Sequence, residues 1–470
     1  MSGLSHQLPN GWTQARLGDV AIKIVDGSHN PPPRSSEGLP MLSARNVLDG
    51  EITFDKPRLI SQHAFSAERT RVAPQPGDVL LTIVGTIGRA AVVRESVAPF
   101  ALQRSVALIR PAASLSSKFC MLQLASQRMQ SWLTERARGS AQQGIYLRTL
   151  SDLPIWIAPR DEQDRIVAEI EKQLTRLEAG VAALRRAQAK LKRYRAAVLK
   201  AACEGRLVTT EADLARLEGR DYESGDQLRT KMLLQSATAP DQAATRRSHR
   251  AKRAQAARNR TLPEIPEGWC DVVFEELLAR FVDSAHRTPR YASVGVPALG
   301  PRDVVNGRLN LTNARRVNES EFAVQTARHR PEPGDVVFSR ELSLGWAAEL
   351  PAGSRVCLSQ GMCLFRPHAD LLTNYLLIVL NGPVGRQQSE RAATGSAHPH
   401  INLGDIKTYR IPLPPLAEQH RIVAEVERRL SVIEGLEAAV AASLARAARL
   451  RQSILQRAFS GQLVPPEPVA

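Results

Sequence analysis

EQDRIVAEIEKQLTRLE, residues 162–178, returns 256 positions later as EQHRIVAEVERRLSVIE, residues 418–434. Over the longer windows 162–208 and 418–464 the two stretches share 20 of 47 residues, so the chain is a tandem repeat and each motif is to be weighed against its copy. Each stretch also carries a helical rhythm. From Glu162 the apolar residues Val167, Ile170, Leu174, Leu177, Val181, Leu184, Leu191 and Val198 follow alternating steps of three and four, the seam of a coiled coil. Two steps land on the polar residues Gln188 and Arg195, which weakens the seam toward its end, and Gly205 is a stop signal. In the copy Val423, Val426, Leu430, Ile433, Leu436, Val440, Ala447, Leu450 and Ile454 draw a less regular stripe that ends at Gly461. Two helices of about 43 residues, each about 65 Å long at roughly 1.5 Å per residue, can bury each other's stripes.

Upstream of each helix the repeat continues. LPNGW at Leu8 to Trp12 recurs as IPEGW at Ile265 to Trp269, a shift of 257, and PGDVLLT from Pro76 recurs as PGDVVFS from Pro333. Asp26, His29 and Pro32 recur as Asp283, His286 and Pro289. One residue is lost between about Ala91 and Leu102, after which Arg110-Pro111 matches Arg366-Pro367 at a shift of 256. Each upstream part mixes short β-like runs, such as Asp78 to Ile83 and Val106 to Ile109, with Gly/Pro turns and one or two helices. The expected architecture is therefore α/β in the broad sense (α+β). A globular domain over 9–157 precedes a spacer helix over 158–208; a basic linker over 209–262 leads to a second domain over 263–414 and a second helix over 415–464.

Composition narrows the function classes. A chain of 470 residues, 43% apolar and 4% aromatic, has room for two or three domains with real cores. Its five cysteines form no C-x-x-C pair, the opening MSGLSHQLPNGW lacks a basic stretch followed by an apolar one, and no apolar run approaches the roughly 18 residues of a membrane span. A cytoplasmic protein without a membrane role is expected. Sixty-three Lys and Arg against 47 Asp and Glu give +16, which suggests a polyanionic partner such as nucleic acid. The charge is uneven: residues 1–157 hold 17 basic and 11 acidic residues, whereas 263–414 hold 16 of each, so the second domain would need a one-sided patch. The run RRSHRAKR, Arg246 to Arg253, reads either as a solvated linker or as a non-specific DNA contact. Antiparallel pairing of the helices would hold the domains at opposite ends of a rod with approximate two-fold symmetry, and parallel pairing would set them side by side. The symmetry of a DNA duplex favours antiparallel.

Catalytic motifs are poorly supported. Asn30-Pro31-Pro32 matches three of the four residues with which adenine-N6 methyltransferases grip a flipped base, but the aromatic that should follow is Pro33, and Asn30 is replaced by Arg287 in the copy. No G-x-G-x-x-G occurs to seat a methyl-donor cofactor. Gly85-Thr86-Ile87-Gly88 lacks the Lys-Ser/Thr of a phosphate loop and reads as a turn. His398-Pro399-His400 suggests metal, yet the first copy has Gln142-Gln143-Gly144 there, with no Cys or acidic cluster nearby.

The duplicated PGDV, the D-x-x-H loop, the E-Q-x-R-I-V helix and the closing EGRLV/SGQLV together resemble the specificity subunits of type I restriction-modification enzymes, over nearly the whole chain. The resemblance implies two target recognition domains, each reading one half of a split sequence in double-stranded DNA. It also implies paired helices that fix the gap and dock two modification (methyltransferase) subunits, and in the larger complex two ATP-driven restriction subunits. Catalytic residues, S-adenosylmethionine, ATP and magnesium would then belong to the partners, with no cofactor in this chain. Arg, Gln and Asn suit bidentate readout of base edges, and Arg and Lys suit phosphates. The candidate DNA-binding residues are His29, Arg34, Gln103, Arg104, Gln142, Gln143 and Tyr146 in the first copy and His286, Arg290, Arg340, Gln360, His398, His400 and Asn402 in the second. Arg45 and Arg302, retained in both copies, are expected to hold phosphate or the fold. The competing expectations are a self-contained adenine DNA methyltransferase and a coiled-coil scaffold without a DNA function.

Overall fold

The computed structural model describes residues 8–139, 143–237, 262, 264–285, 287–396 and 398–465. It divides into two units, the first comprising 1–186 with 440–470 and the second 187–439, so that each unit holds one globular domain and a half of each long helix.

In the first unit a four-stranded antiparallel sheet runs in the order Ala21–Asp26, Val106–Pro111, Val79–Thr82, Ala90–Val92. Its central strands are apolar over Val79–Leu81 and Val106–Ile109 because both faces are covered there. Val79, Leu81, Ala107 and Ile109 point into one cluster, and Leu80, Val106 and Leu108 into another. The second unit repeats this with Leu278–Asp283, Met362–Pro367, Val336–Ser339 and Ala347–Glu349, where Val336 and Phe338 face one cluster and Val337 the other.

The PGDV motif is the corner of this sheet. Gly77 and Gly334 turn the chain at φ +88° and +86°, which a side chain would resist. The next residue, Asp78 or Asp335, accepts the amide of Gln75 or Glu332 and a forked pair of bonds from Arg110 or Arg366 on the neighbouring strand. The matched Arg-Pro dipeptides thus supply the partner of the matched aspartates.

The two long helices run over Arg160–Cys203 and Leu416–Phe459. Gly205 and Gly461 end them at φ +65° and +73°, with the following amides returning to the carbonyls of Ala201 and Arg457. In the first unit the start of the first helix (Ile166, Val167, Ile170, Leu174) shares a core with the end of the second (Ile454, Leu455, Ala458, Phe459). In the second unit Val198, Ala202 and Cys203 share a core with Ile422 and Val426. Each unit therefore pairs the helices antiparallel.

The second stripe differs from its sequence reading. Leu436 and Leu450 are about half exposed, and the covered face steps through Ile433, Glu437, Val440, Leu444, Ala447, Arg451 and Ile454. The charged steps are tolerated because each meets an opposite charge on the other helix. Arg195 lies 3.8 Å from Glu434 and 3.1 Å from Glu437, and Arg451 lies 3.6 Å from Glu178. Arg195–Glu434 and Arg451–Glu178 are the same pair in the two copies, displaced by 256.

The segment after the first helix contains two helices among its described residues. Helices Glu211–Glu218 and Gly225–Ala237 occupy its first half, the former opened by the Thr210 hydroxyl accepting the Asp213 amide, and Leu228 and Met232 enter the second unit's core. The basic run Arg246 to Arg253 lies outside the described residues. Among the described residues no helix is long and apolar enough to cross a membrane. Tyr375 and Leu376 to Leu380 belong to a nine-residue core helix, Thr373–Asn381.

Candidate nucleic-acid interface

The E-Q that opens each long helix joins it to its globular domain. Glu162 accepts the indole N–H of Trp12 and Glu418 that of Trp269, at 3.1 and 2.9 Å, which links the helix motif to the LPNGW and IPEGW motifs. Gln163 is fully buried: its Oε1 accepts the Ser116 amide, and its Nε2 donates to the carbonyls of Ser114 and Ala158. Gln419 does the same with the Leu372 amide and the Pro414 carbonyl. Each helix is therefore held against the domain that precedes it. Glu418 is pushed above its ordinary value by burial, against which the Glu211 amide and the Trp269 indole act.

On the first domain the stretch DGSHNPPPR leaves the sheet edge with Gly27 and Ser28 buried and runs on as a mostly exposed loop from His29. Asp26 holds His29 Nε2 at 2.7 Å and Arg71 at 3.2 Å, and Arg58 donates to the carbonyls of Pro31 and Pro32, whose rings already fix the backbone. This loop, together with Ser43–Arg45, Gly85–Thr86 and Gln103–Ser105, lines an open cleft of about 330 Å³. The cleft brings His29, Arg45, Gln103 and Arg104 together. Gln143 adjoins it, its carbonyl accepting the Gly85 amide, and Tyr146, three residues on, is 71% exposed. Arg34 is exposed on the same loop but does not line the cleft, and Gln142 lies outside the described residues. Arg34 and Arg104 make no side-chain hydrogen bond or ion pair among the described residues, whereas Arg45 donates to the Lys56 carbonyl at 2.8 Å. Gly85 and Gly88 form a turn that feeds a strand, not a helix, so no helix N-terminus is available there for a phosphate.

The second domain arranges its candidates differently. Arg340 is turned inward, with its side chain 15% exposed, and its guanidinium is spent on Asp283 at 3.0 Å and on the Ile401 carbonyl at 2.9 Å. In this structure the Arg340 side chain therefore points into the domain and not out toward a ligand. Its backbone nevertheless gathers the others, since its amide reaches the Gly361 carbonyl beside Gln360 and its carbonyl accepts the Ile401 amide between His400 and Asn402. Gln360, His398 and Asn402 are exposed and His400 half-buried. Asn402 precedes the short helix Leu403–Lys407, its amide 3.4 Å from Asp405, and His400 Nδ1 is 3.4 Å from the His398 carbonyl. Arg290 and Arg302 are exposed, and His286 lies outside the described residues. No group of three or more potential metal ligands occurs among the described residues. Sequence reasoning missed Arg58 and Arg71, which shape the first loop, and Glu341, the neighbour of Arg340. The alternation of a strand end was the available signal for Glu341, since consecutive residues point to opposite sides.

The sequence profile described as the type I restriction modification DNA specificity domain matches residues 9–184 and 306–437, more than half of the chain. The chain belongs to this specificity family. It is 24% identical over 325 residues to the Type I restriction enzyme EcoBI specificity subunit of Escherichia coli, covering 67% of this chain and 60% of that subunit. It is also 24% identical over 474 residues to the EcoKI specificity subunit of Escherichia coli (strain K12), covering 97% and 90%. Among solved structures, a chain from work on complex assembly and conformational transition of the type I R-M system superposes with a TM-score of 0.66 at 20% identity, covering 97% of this chain and 99% of that one. The specificity-family fold thus extends over both domains and both helices. The retained E-Q, Trp and PGDV contacts are its frame, and the exposed clusters around the first-domain cleft and around Gln360 and His400 are where the two copies diverge.

Proposed function

We propose that this chain is the DNA-reading subunit of a type I restriction-modification complex. The first domain reads one half of a bipartite target in double-stranded DNA and the second domain the other, and the paired helices set the gap. The chain aims two modification subunits and, in the larger assembly, two restriction subunits, which carry the S-adenosylmethionine, ATP and magnesium chemistry; this chain supplies none of the catalytic groups and works in the cytoplasm.

The observation that carries the reading is the first-domain cleft, where the exposed His29 and Arg104 converge with the half-buried Gln103, the guanidinium of Arg104 being without a partner among the described residues. Gln and Arg are the side chains that form paired bonds with adenine and guanine edges. Arg34 stands on the same loop as a phosphate contact. The antiparallel helix pairing, with its repeated Arg–Glu bridge, supports the ruler role. Mapping methylated adenines in a genome carrying this chain and its modification subunit tests the reading. A split motif is expected, and replacing residues 9–157 with another first domain changes one half of it only. Removing one heptad from both helices shortens the gap. An unsplit motif, or none, refutes the proposal.

A further inference from the structure

The wall of the first-domain cleft includes Val84, and 257 positions on stands Glu341. Pairing establishes the equivalence, because Val84 bridges to Gly144 and Glu341 to His400, 256 residues beyond Gly144. Since Arg340 is turned inward onto Asp283, its neighbour Glu341 faces the other way. The carboxylate lies over Gly361, where a Cβ would come within 2.9 Å of both Glu341 Oε2 and Pro301 Cγ. The first copy carries Ser105 at that place, its hydroxyl accepting the Ala44 amide, so the second copy has exchanged a side chain for the room that Glu341 occupies. Gln360 adjoins Gly361, Arg302 adjoins Pro301 and His400 stands across the bridge, yet the Glu341 carboxylate makes no hydrogen bond or ion pair among the described residues.

A carboxylate amid DNA-reading candidates is repelled by phosphates, so it belongs on that face only if it finds a donor there. In the major groove cytosine presents an amino donor alone, whereas guanine and thymine present acceptors and adenine pairs its amino group with the N7 acceptor. We propose that Glu341 is a specificity-determining residue of the second domain, accepting a hydrogen bond from the N4 amino group of a cytosine in the second half-site. The even balance of 16 basic and 16 acidic residues in 263–414 agrees with a domain that reads edges more than it gathers phosphates. The inference rests on the DNA-reading function proposed above.

The test uses the full chain co-produced with its modification subunit, reading methylated motifs across a genome and, on the purified complex, binding to duplexes varied at each half-site position. Glu341→Gln supplies a donor and an acceptor in place of two acceptors and shifts one cytosine position of the second half toward adenine; Glu341→Ala relaxes the same position, lowering discrimination there by about tenfold or more. The first half stays unchanged in both. Unaltered preference in either folded variant overturns the assignment. So does a uniform gain in affinity for every duplex, because the carboxylate would then only repel. A wild-type complex with no bipartite motif sinks the DNA-reading function itself, and a bipartite motif indifferent to Glu341 sinks only this inference.

Discussion

Replacing Gln163 by Ala removes an amide that is 0% exposed and that satisfies three backbone groups, the Ser116 N–H and the carbonyls of Ser114 and Ala158, at 2.8, 2.8 and 2.9 Å. An alanine reaches none of them. Each lost bond costs about 1 kcal/mol, and a buried backbone group left without a partner costs about 1–3 kcal/mol, so a loss of about 3 kcal/mol is the expected floor. That is roughly two orders of magnitude in the constant for opening the junction between domain and helix. Urea unfolding gives the global value, and hydrogen exchange of the Ser116 amide gives the local one, since Gln163 is that amide's acceptor. Gln419→Ala in the second unit serves as an internal replicate, as its amide meets the Leu372 N–H and the Pro414 carbonyl. A cost below about 0.5 kcal/mol, the range of an ordinary surface change, would refute the assignment of the E-Q motif as the junction lock.

Three further outcomes are expected. Arg340→Ala takes a charged partner from Asp283 in a pair whose side chains are 15% and 10% exposed; a loss of about 3 kcal/mol in thermal or urea unfolding of the second domain is expected, and a changed base preference with unchanged stability would contradict the inward role. Leu228→Ala costs about 3 kcal/mol because its side chain is fully buried, whereas Leu234→Ala, 66% exposed, costs less than about 0.5 kcal/mol; equal costs would show that the helix over 225–237 does not dock as described. Burial drives Asp335 upward, but the hydrogen bonds of Arg366 and of the Glu332 amide outweigh it and leave the carboxyl below its ordinary 3.8. A depressed carboxyl stabilises fully above the unfolded value and loses that contribution as pH falls through the folded one. Asp335→Asn should therefore flatten the acid limb of the stability curve below about pH 4, and an acid limb identical to that of the parent would contradict it.

The duplication was legible because identity at a constant shift needs no structural knowledge, and the helix ends were legible because Gly205 and Gly461 carry their own signal. The second seam was misread for a physical reason. Reading by hydropathy selects Leu436 and Leu450, but the face that turns inward carries Glu437 and Arg451, whose cost is met by Arg195 and Glu178 on the other helix. A charge becomes acceptable in a seam only through a partner about 240 to 270 residues away, and no local pattern reports it. The inward turn of Arg340 was equally illegible, since it depends on Asp283 at a separation of 57 residues. The helices after the first spacer were missed because only Leu228 and Met232, one turn apart, mark the buried side of the longer one.

Those failures and successes divide along one line. Groups that recur in both copies, Trp12 and Trp269, Glu162 and Glu418, Gln163 and Gln419, Asp78 and Asp335, Arg110 and Arg366, are all consumed in internal hydrogen bonds or ion pairs. They have little left to offer a ligand. Exposed donors and acceptors such as Arg104, Gln143 and Tyr146 in one copy and Gln360 and Asn402 in the other, with the half-buried His400, differ between copies while sitting on the same frame. On the function proposed above, a duplicated scaffold that reads two unlike half-sites keeps the first set and varies the second, since altering a frame contact costs stability in either unit and altering a cleft side chain changes what that unit can hold. Arg45, retained as Arg302, lines the cleft but spends one guanidinium donor on the Lys56 carbonyl at 2.8 Å, a contact that ties the rim to the frame.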